Sequence, residues 1–285
     1  MAASKWSLRK RLALGLVLTA LLPVLLFSVA MLWSQWQRDS NDLMLRLDAN
    51  ARLSASLIDE FLESQQAGVR LLADQVADDQ VVSGEELSRL LKIYPSMLRA
   101  LHVDAHGRVV IMRDTRLREQ PHAVVDVSAE DWFKANRNQF RAYISDAYQR
   151  PIYGSEVVVA VSAPLLRQDR FEGALQAAIP VESIARLSAE SLARRNFELL
   201  LLDRSNRVVY AGARLRWKSL DDAGRQGMAL RQMALSADRS GRIELRRDLL
   251  REPGDTYVEA VAMRNQWTLA LVAPREILLA PLRPR

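Results

Sequence analysis

The sequence of 285 residues contains no cysteine and only three histidines, His102, His106 and His122. The absence of cysteine excludes thiol nucleophiles, cysteine-based zinc sites and disulfide bonds, although a chain of this length can bury a core without them. His102 and His106 flank a predicted turn and share no helix face, so they do not predict a metal site. Glycine-rich nucleotide-binding motifs and the G-x-S-x-G motif are also missing. These absences predict a chain with no enzymatic activity and no cofactor.

The net positive charge of the chain is small when the first eleven residues are left out. The chain has 40 basic and 34 acidic residues, and four of the basic ones, Lys5, Arg9, Lys10 and Arg11, lie in residues 1–11, which contain no acid. The remaining chain carries a balance of only +2. It therefore does not predict a nucleic-acid partner.

Residues 12–33 form a long apolar segment without Asp, Glu, Lys, Arg or His. A helix of this length spans about 33 Å, which matches the ~30 Å hydrocarbon core of a bilayer, and Pro23 is tolerated there. The basic residues before it predict a cytoplasmic N-terminus at residues 1–11, and Trp33 and Trp36 suit the outer interface. We therefore predict a transmembrane helix that anchors an exported domain.

A cleaved signal peptide is the alternative interpretation of this segment. Ser28, Val29 and Ala30 resemble a cleavage site with small residues. The apolar segment is longer than the roughly 7–15 residues of a signal-peptide core, which favours the uncleaved anchor. Both interpretations place the rest of the chain outside the cytoplasm.

Residues 34–79 contain no proline and predict one long helix. Apolar residues recur on one side of it at Leu43, Leu47, Leu57, Phe61, Leu72 and Val76. Ser54 and Gly68 fall on the same side and allow a close neighbour. This side can pack on the chain's own domain or on a partner in a coiled coil or dimer, and both alternatives stay open.

Helix and strand signals follow in alternation. Ser83 and Glu86 form a capping box that predicts a short helix ending before Pro95. Residues 98–114 hold two apolar runs around a turn and predict a β-hairpin. The predicted organisation at this point is α+β.

An aromatic segment comes next. Ser128 is the predicted N-cap of a short helix that carries or adjoins Trp132, Phe133 and Phe140. The loop after it contains Tyr143, Tyr148, Tyr153 and Gly154. Residues 156–166 and 173–181 predict two strands joined by a polar turn at 167–172, and residues 182–195 predict a connecting helix.

A second set of strands is predicted from about Asn196 onward. Residues 197–212 predict a hairpin, and three further strands are predicted at 241–247, 256–264 and 267–274, with a tight turn at Asn265 and Gln266. Residues 101–110 and 200–209 share the pattern L-x-[VL]-D-x-x-[GN]-R-V-V at an offset of 99 residues. This internal repeat predicts two copies of one α+β module.

The arrangement resembles the double Cache family, the PAS-like extracytoplasmic regions of bacterial sensor histidine kinases, diguanylate cyclases and chemoreceptors. The resemblance covers residues 36–279 and rests on the two hairpins. It also rests on the segments 131–133, 143–145, 159–164, 173–187 and 267–274. It implies a transmembrane helix, a long stalk helix and two PAS-like modules with antiparallel sheets. It further implies a homodimer in the bacterial inner (cell) membrane, with the bulk of the chain periplasmic or extracellular.

The resemblance also implies that the two modules have different functions. The membrane-distal module, residues 80–190, is expected to hold a small-molecule ligand, and the membrane-proximal module, residues 191–279, to pass the signal on. Residues 280–285 are then a tail before a second membrane helix that this sequence does not include. The ligand-binding residues implied are Trp132, Phe133, Tyr143, Asp146, Tyr148, Tyr153, Glu130 and Arg150. A plain core role for Trp132, Phe133 and Phe140 is the competing interpretation.

One branch of the family binds amino acids through charged residues that this chain replaces. That branch has an arginine two residues before the helix tryptophan, where this chain has Glu130. It has acids after the loop tyrosine and in the last strand, where this chain has Arg150 and Ala178. A ligand carboxylate would be repelled by Glu130, so amino-acid binding by that motif is not predicted. Glu130 and Arg150 either meet a ligand of other polarity or pair with each other.

Two functions from different classes therefore remain. The first is the ligand-sensing region of a membrane receptor. The second is an anchored interaction module that binds a protein partner and no small ligand.

Overall fold

The computed structural model describes residues 8–77, 82–115, 125–150, 154–236 and 244–275. They form helices and two antiparallel sheets, so the predicted α+β class is confirmed. The predicted membrane segment and long helix are one continuous helix, α1, Leu8–Ala77. None of the helices in these ranges is long and apolar enough to cross a membrane by hydropathy, and the predicted span of residues 12–33 is not confirmed.

Small side chains alternate with larger ones on the buried face of α1 between residues 47 and 76. That face consists of Leu47, Ala51, Ser54, Ala55, Ile58, Asp59, Leu62, Gln65, Gly68, Val69, Ala73 and Val76. The prediction that Leu57 belongs to it is wrong, because Leu57 is 42% exposed. Phe61 and Leu72 are only half-buried, and the side chain of Leu43 lies outside the described residues. The alanines on this face allow the helix to approach its neighbours closely, while Leu47, Ile58 and Leu62 supply most of its apolar area.

Polar contacts join α1 to both halves of the domain. The carboxylate of Asp59 accepts the backbone N–H of Arg264 at 3.1 Å, and the Arg264 guanidinium donates to Glu63 at 2.8 Å. The Ser96 hydroxyl donates to the side chain of Gln65 at 2.8 Å. The helix is therefore fixed in register against segments that lie far away in sequence.

The first sheet has six strands. In chain order they are β1 Arg99–Asp104, β2 Val109–Asp114, β3 Tyr143–Ile144, β4 Tyr148–Gln149, β5 Val157–Arg167 and β6 Arg170–Pro180. Their order is β2-β1-β6-β5-β3, and β4 also pairs with β5. The hairpin predicted at residues 98–114 is confirmed. The turn predicted at 167–172 is shorter, because only Gln168 and Asp169 separate β5 from β6, with φ of 48° and 59°, as a two-residue hairpin turn requires.

Two helices of this half begin differently from each other. Helix α2, Gly84–Ile93, has the predicted capping box, in which the Ser83 N–H donates to the Glu86 carboxylate at 2.8 Å. Helix α3 is Asp131–Gln139, and its N-cap is Glu130, so the prediction of Ser128 as N-cap is wrong. The Ser128 N–H donates to Asp126 at 2.8 Å in a separate turn that comes before the helix.

The second sheet has five strands. They are β7 Glu198–Leu202, β8 Val208–Ala211, β9 Glu244–Arg247, β10 Asp255–Ala262 and β11 Thr268–Pro274, in the order β8-β7-β11-β10-β9. All of the predicted strands of this half are present, and the backbone turns at Asn265 and Gln266 as expected. The connecting helix predicted at 182–195 is instead two short helices, α4 Val181–Ala185 and α5 Ala189–Ala193. Helix α6, Gly224–Leu235, packs on β10 and β11 and is missing from the sequence predictions.

A buried carboxyl group lies where α1 meets the second sheet. Glu259 on β10 is 8% exposed, and Asp48 and Arg52 of α1 are its charged neighbours. Arg52 already donates to Asp48 at 2.8 Å. Burial raises the pKa of Glu259 from 4.5 to about 7, and Asp48 adds to the rise.

We expect Glu259 to make the stability of the fold decrease as the pH rises. Its pKa is higher in the folded than in the unfolded chain, so its contribution is complete below 4.5 and is lost as the pH rises through about 7. Urea unfolding of the full chain in detergent at pH 5 and pH 8 should show a loss of about 2 kcal/mol. Glu259→Gln should remove that loss. Parallel pH profiles for the two proteins would contradict this assignment.

Candidate functional site

Helix α3 places two aromatic side chains against the first sheet. Trp132 and Phe133 are 1% and 0% exposed. Their ring centroids are 5.9 Å apart at 88°, and the Phe133 ring meets Phe171 of β6 at 5.7 Å and 74°. We call this group, with the sheet residues Leu101, Val103, Ala160 and Ala174 beneath it, the aromatic cluster. Edge-to-face contacts of this kind stabilise a rigid apolar surface.

Two tyrosines stand at the edge of the aromatic cluster. Tyr143 on β3 and Tyr148 on β4 are half-buried and pack against it. The loop predicted for these residues is in fact two short strands, because Tyr143 pairs with Ser162 and Tyr148 with Val158 of β5. The sheet therefore fixes the position of both rings. Tyr153, the third predicted tyrosine, lies outside the described residues.

An ion pair stands beside the cluster. The guanidinium of Arg150 contacts the carboxylate of Glu130, with side chains 52% and 14% exposed respectively. Burial raises the pKa of Glu130, and Arg150 opposes this rise. Of the two alternatives drawn from the sequence, the structure shows the one in which these residues pair with each other.

Asp146 contacts the second half of the domain. Its carboxylate accepts Nη1 of Arg204 at 3.0 Å and Nε1 of Trp267 at 3.0 Å. Asp146, which the resemblance implies as a ligand-binding residue, therefore binds a cationic side chain of the same chain. Asp146 lies between Tyr143 and Tyr148 on the segment that joins β3 to β4. Its Oδ1 atom already accepts hydrogen bonds from Arg204 and Trp267.

Sequence reasoning missed two features of the site. The indole Nε1 of Trp132 is buried and has no hydrogen-bond partner among the described residues, which is uncommon for a buried donor. Phe171 belongs to the cluster, although the sequence analysis placed it in a polar turn. The only available signal was one aromatic residue at the start of an apolar strand.

Phe140 does not belong to the aromatic cluster. It ends α3 in a left-handed conformation, with φ of 51°, and is 51% exposed. It borders a cleft of about 210 Å³ between α1 and the outer end of β5. Charged groups at this cleft are Arg70, Asp74 and Arg141. The core interpretation of Phe140 is therefore wrong.

The architecture defines a class of protein in which two antiparallel α+β modules follow a long N-terminal helix. A family model described as Cache domain matches residues 37–282. The chain belongs to the Cache domain family, and the predicted resemblance to double Cache sensor regions is confirmed. No curated protein matches the chain.

Solved structures with the same fold include ligand-binding domains of bacterial chemoreceptors. The chain is similar to the sensory domain of the Campylobacter jejuni chemoreceptor Tlp3 with isoleucine bound, at 14% identity and a TM-score of 0.61, covering 85% of this chain and 97% of that one. It is also similar to the ligand-binding domain of the Pseudomonas aeruginosa amino acid chemoreceptor PctB in complex with L-Arg. That match has 13% identity and a TM-score of 0.61 and covers 83% of this chain and 97% of that one.

A third structure is similar over part of its length. It is an extracellular ligand binding receptor from Desulfohalobium retbaense, at 13% identity and a TM-score of 0.63. The match covers 80% of this chain and 40% of that one. At these identities the three structures establish the fold of the chain and leave its ligand open.

Proposed function

We propose that this chain is the small-molecule-sensing region of a membrane receptor, with the ligand bound at the aromatic cluster. The observation that carries the proposal is the buried, unpartnered indole N–H of Trp132 beside two half-buried tyrosines and the Glu130–Arg150 pair. An apolar surface with a few fixed polar groups is typical of a small-ligand site. The solved relatives that carry bound amino acids support the same type of function.

The charges at this site favour a ligand different from a free amino acid held in the family's usual way. Glu130 occupies the place of the carboxylate-binding arginine, and Arg150 occupies the place of an acid. A ligand that binds here has to match this pair with a donor for Glu130 and an acceptor for Arg150 or for the Trp132 indole. We therefore propose a small polar ligand with both kinds of group.

Side-chain exposure along α1 supports the proposed membrane anchor and dimer. Leu26, Phe27 and Met31 within the predicted span are 61%, 72% and 60% exposed, as expected of lipid-facing residues. Farther along the helix, Leu45 and Leu53 are 70% and 58% exposed on the side away from the buried face. We propose that this second side contacts another copy of the chain and that ligand-induced shifts of α1 carry the signal. Such shifts require a ligand that favours one conformation over the other.

We expect a ligand of the site to raise the melting temperature of the full chain in detergent micelles. A panel of carboxylates, amines, amino acids, purines and polyamines would be screened by thermal unfolding. Binding to the native state adds about 2.7 kcal/mol at a hundred times Kd. Trp132→Phe removes the indole N–H but keeps an aromatic ring at the position, and Tyr148→Ala removes a ring, so both should abolish the shift.

Phe140→Ser is the matched control, because Phe140 is the C-cap of α3 and lies outside the aromatic cluster. This variant should keep the full thermal shift. A shift that survives both Trp132→Phe and Tyr148→Ala would place the ligand elsewhere. A well-folded protein that responds to no compound would count against the sensor proposal.

The cleft beside Phe140 favours a second candidate function, an interaction module for another exported protein. An exposed phenylalanine next to two arginines and one aspartate is a suitable contact for a protein side chain. A partner recovered with the full chain should then be lost with Phe140→Ser and retained with Trp132→Phe. The opposite pattern would exclude the cleft as the contact.

A further inference from the structure

The two repeated hairpins contain the same turn. In each turn the carboxylate of an aspartate, Asp104 or Asp203, accepts the backbone N–H groups of the residues two and four positions later. It also accepts the side-chain Nε–H of the arginine four positions later, which is Arg108 in the first turn and Arg207 in the second. The residue immediately after the aspartate takes no part in this network. It is Ala105 in the first turn and Arg204 in the second. The second turn therefore carries a long cationic side chain at a position that its own fold does not use.

The Arg204 guanidinium crosses to the first half of the domain. Its Nη1 donates to the Tyr143 hydroxyl at 3.2 Å and to Asp146 at 3.0 Å, and its Nη2 donates to the carbonyl oxygen of Ile144 at 2.9 Å. Its Nε donates to the carbonyl oxygen of Asn265 on its own side at 3.1 Å. The side chain is 22% exposed, and its carbon Cζ lies 5.1 Å from the Tyr143 ring centroid. All three guanidinium nitrogens thus donate hydrogen bonds. Two of them donate across the junction, by which we mean the contact between the β3–β4 segment and the β7–β8 turn.

Neighbouring contacts strengthen the same junction. Trp267, which is fully buried, donates its indole N–H to Asp146, and Arg207 donates to the carbonyl oxygen of Ala147 at 3.1 Å. Arg231 of α6 contacts the carbonyl oxygen of Arg204. The segment between β3 and β4 therefore rests on the β7–β8 turn.

That segment is also one wall of the candidate site. Tyr143 and Tyr148 at its two ends pack against the aromatic cluster, and the hydroxyl of Ser145 between them accepts the N–H of Ala160 from β5. A displacement of the tyrosines moves a short, doubly anchored segment. Its carbonyl oxygens and carboxylate are bound to the second sheet.

We propose that Arg204 is a positioning residue that couples the aromatic cluster to the second sheet. A change at Tyr148 or Tyr143 reaches the β7–β8 hairpin through the bonds from Ile144 and Asp146 to the guanidinium. The role in signalling rests on the proposed function, but the mechanical coupling does not require a known ligand. The coupling is therefore tested with a substitution in the site as the disturbance.

Hydrogen exchange by mass spectrometry on the full chain in detergent tests the coupling. Four proteins are compared: unsubstituted, Tyr148→Leu, Arg204→Ala and the double variant. With Arg204 present, Tyr148→Leu should speed exchange in residues 198–211 by about threefold or more, because exchange follows the free energy of local opening. In the Arg204→Ala background, the response of residues 198–211 to Tyr148→Leu should be much smaller, because the guanidinium bonds are lost while those of Arg207 and Trp267 remain.

Arg216→Ala is the matched background, because Arg216 lies in the same half, stacks on Trp217 and donates to the carbonyl oxygen of Asp248 without crossing the junction. It should preserve the response to Tyr148→Leu. If Arg204→Ala does not fold, Arg204→Lys replaces it, since lysine keeps the charge for Asp146 but lacks the fork that also reaches Ile144.

Two results would overturn the proposal. One is that Tyr148→Leu leaves hydrogen exchange in residues 198–211 unchanged when Arg204 is present. The other is that Tyr148→Leu speeds exchange in these residues equally in the Arg204→Ala background. Neither result depends on the ligand screen, so a failed screen and a failed coupling test are distinguishable.

Discussion

Replacing Gly173 by alanine should lower the free energy of unfolding by about 3 kcal/mol or more. Gly173 lies in the central strand β6 between Asp104 of β1 and Leu165 of β5, with φ of 152°. A Cβ atom built on it would stand 2.1 Å from the carbonyl oxygen of Val103. Because that oxygen belongs to backbone in the middle of the sheet, it cannot move aside without breaking the β1–β6 pairing.

Gly254→Ala is the control for this prediction, since no atom lies within 4 Å of the added Cβ and its backbone is not left-handed. We expect a change within about 0.5 kcal/mol there. Urea unfolding of both variants, with the full chain in detergent, gives the comparison. Equal stabilities of the two variants would show that the backbone of β1 and β6 can move to accept the added Cβ atom, and would refute the steric argument.

The second large effect is expected at the buried ion pair of the first hairpin. Arg99 and Asp114 have side chains that are 2% and 7% exposed, and Nε of the arginine donates to Oδ2 of the aspartate at 2.7 Å. Arg99→Leu leaves the carboxylate buried without this cation and should cost about 3–5 kcal/mol. The double variant Arg99→Leu/Asp114→Leu should recover most of that loss, because it removes both charges.

The exposed pair Arg70–Asp74 on α1 provides the contrast. Its side chains are 70% and 68% exposed, and its closest atoms are 3.8 Å apart. Arg70→Leu should change the free energy of unfolding by less than about 0.5 kcal/mol. If Arg99→Leu proved equally mild, or if the double variant were no better than the single one, the charge-burial argument would fail.

Local signals were sufficient for much of the fold. The hairpins, the capping box at Ser83 and the turn at Gln266 depend on residues within a few positions of each other, and all of them are present. Helix α6 was missed because Gly224 and Gly227 lie in its first turn, where they weaken the sequence signal. Its stability comes from packing on β10 and β11, which a local pattern does not reveal.

Long-range contacts limited what the sequence could predict about the candidate site. The pairing of Glu130 with Arg150 was one of two open alternatives, because both residues lie in the same segment. The contact between Asp146 and Arg204, by contrast, joins residues 58 positions apart. No periodicity or motif announces it, since it depends on how the two modules are packed together.

The bonds between the two sheets limit how Cache domains of this type can be recombined. A chimera that joins the first module of this chain to the second module of a relative would keep both aspartate-centred turns. It would lose the donors that hold Ile144 and Asp146 wherever the relative has no equivalent of Arg204 and Trp267. We expect the segment 143–148 and the residues Arg204, Arg207 and Trp267 to be exchangeable only together with the two sheets that carry them. A crossover in the short helices between the sheets, although it lies at the obvious boundary, would separate partners that have to come from the same parent.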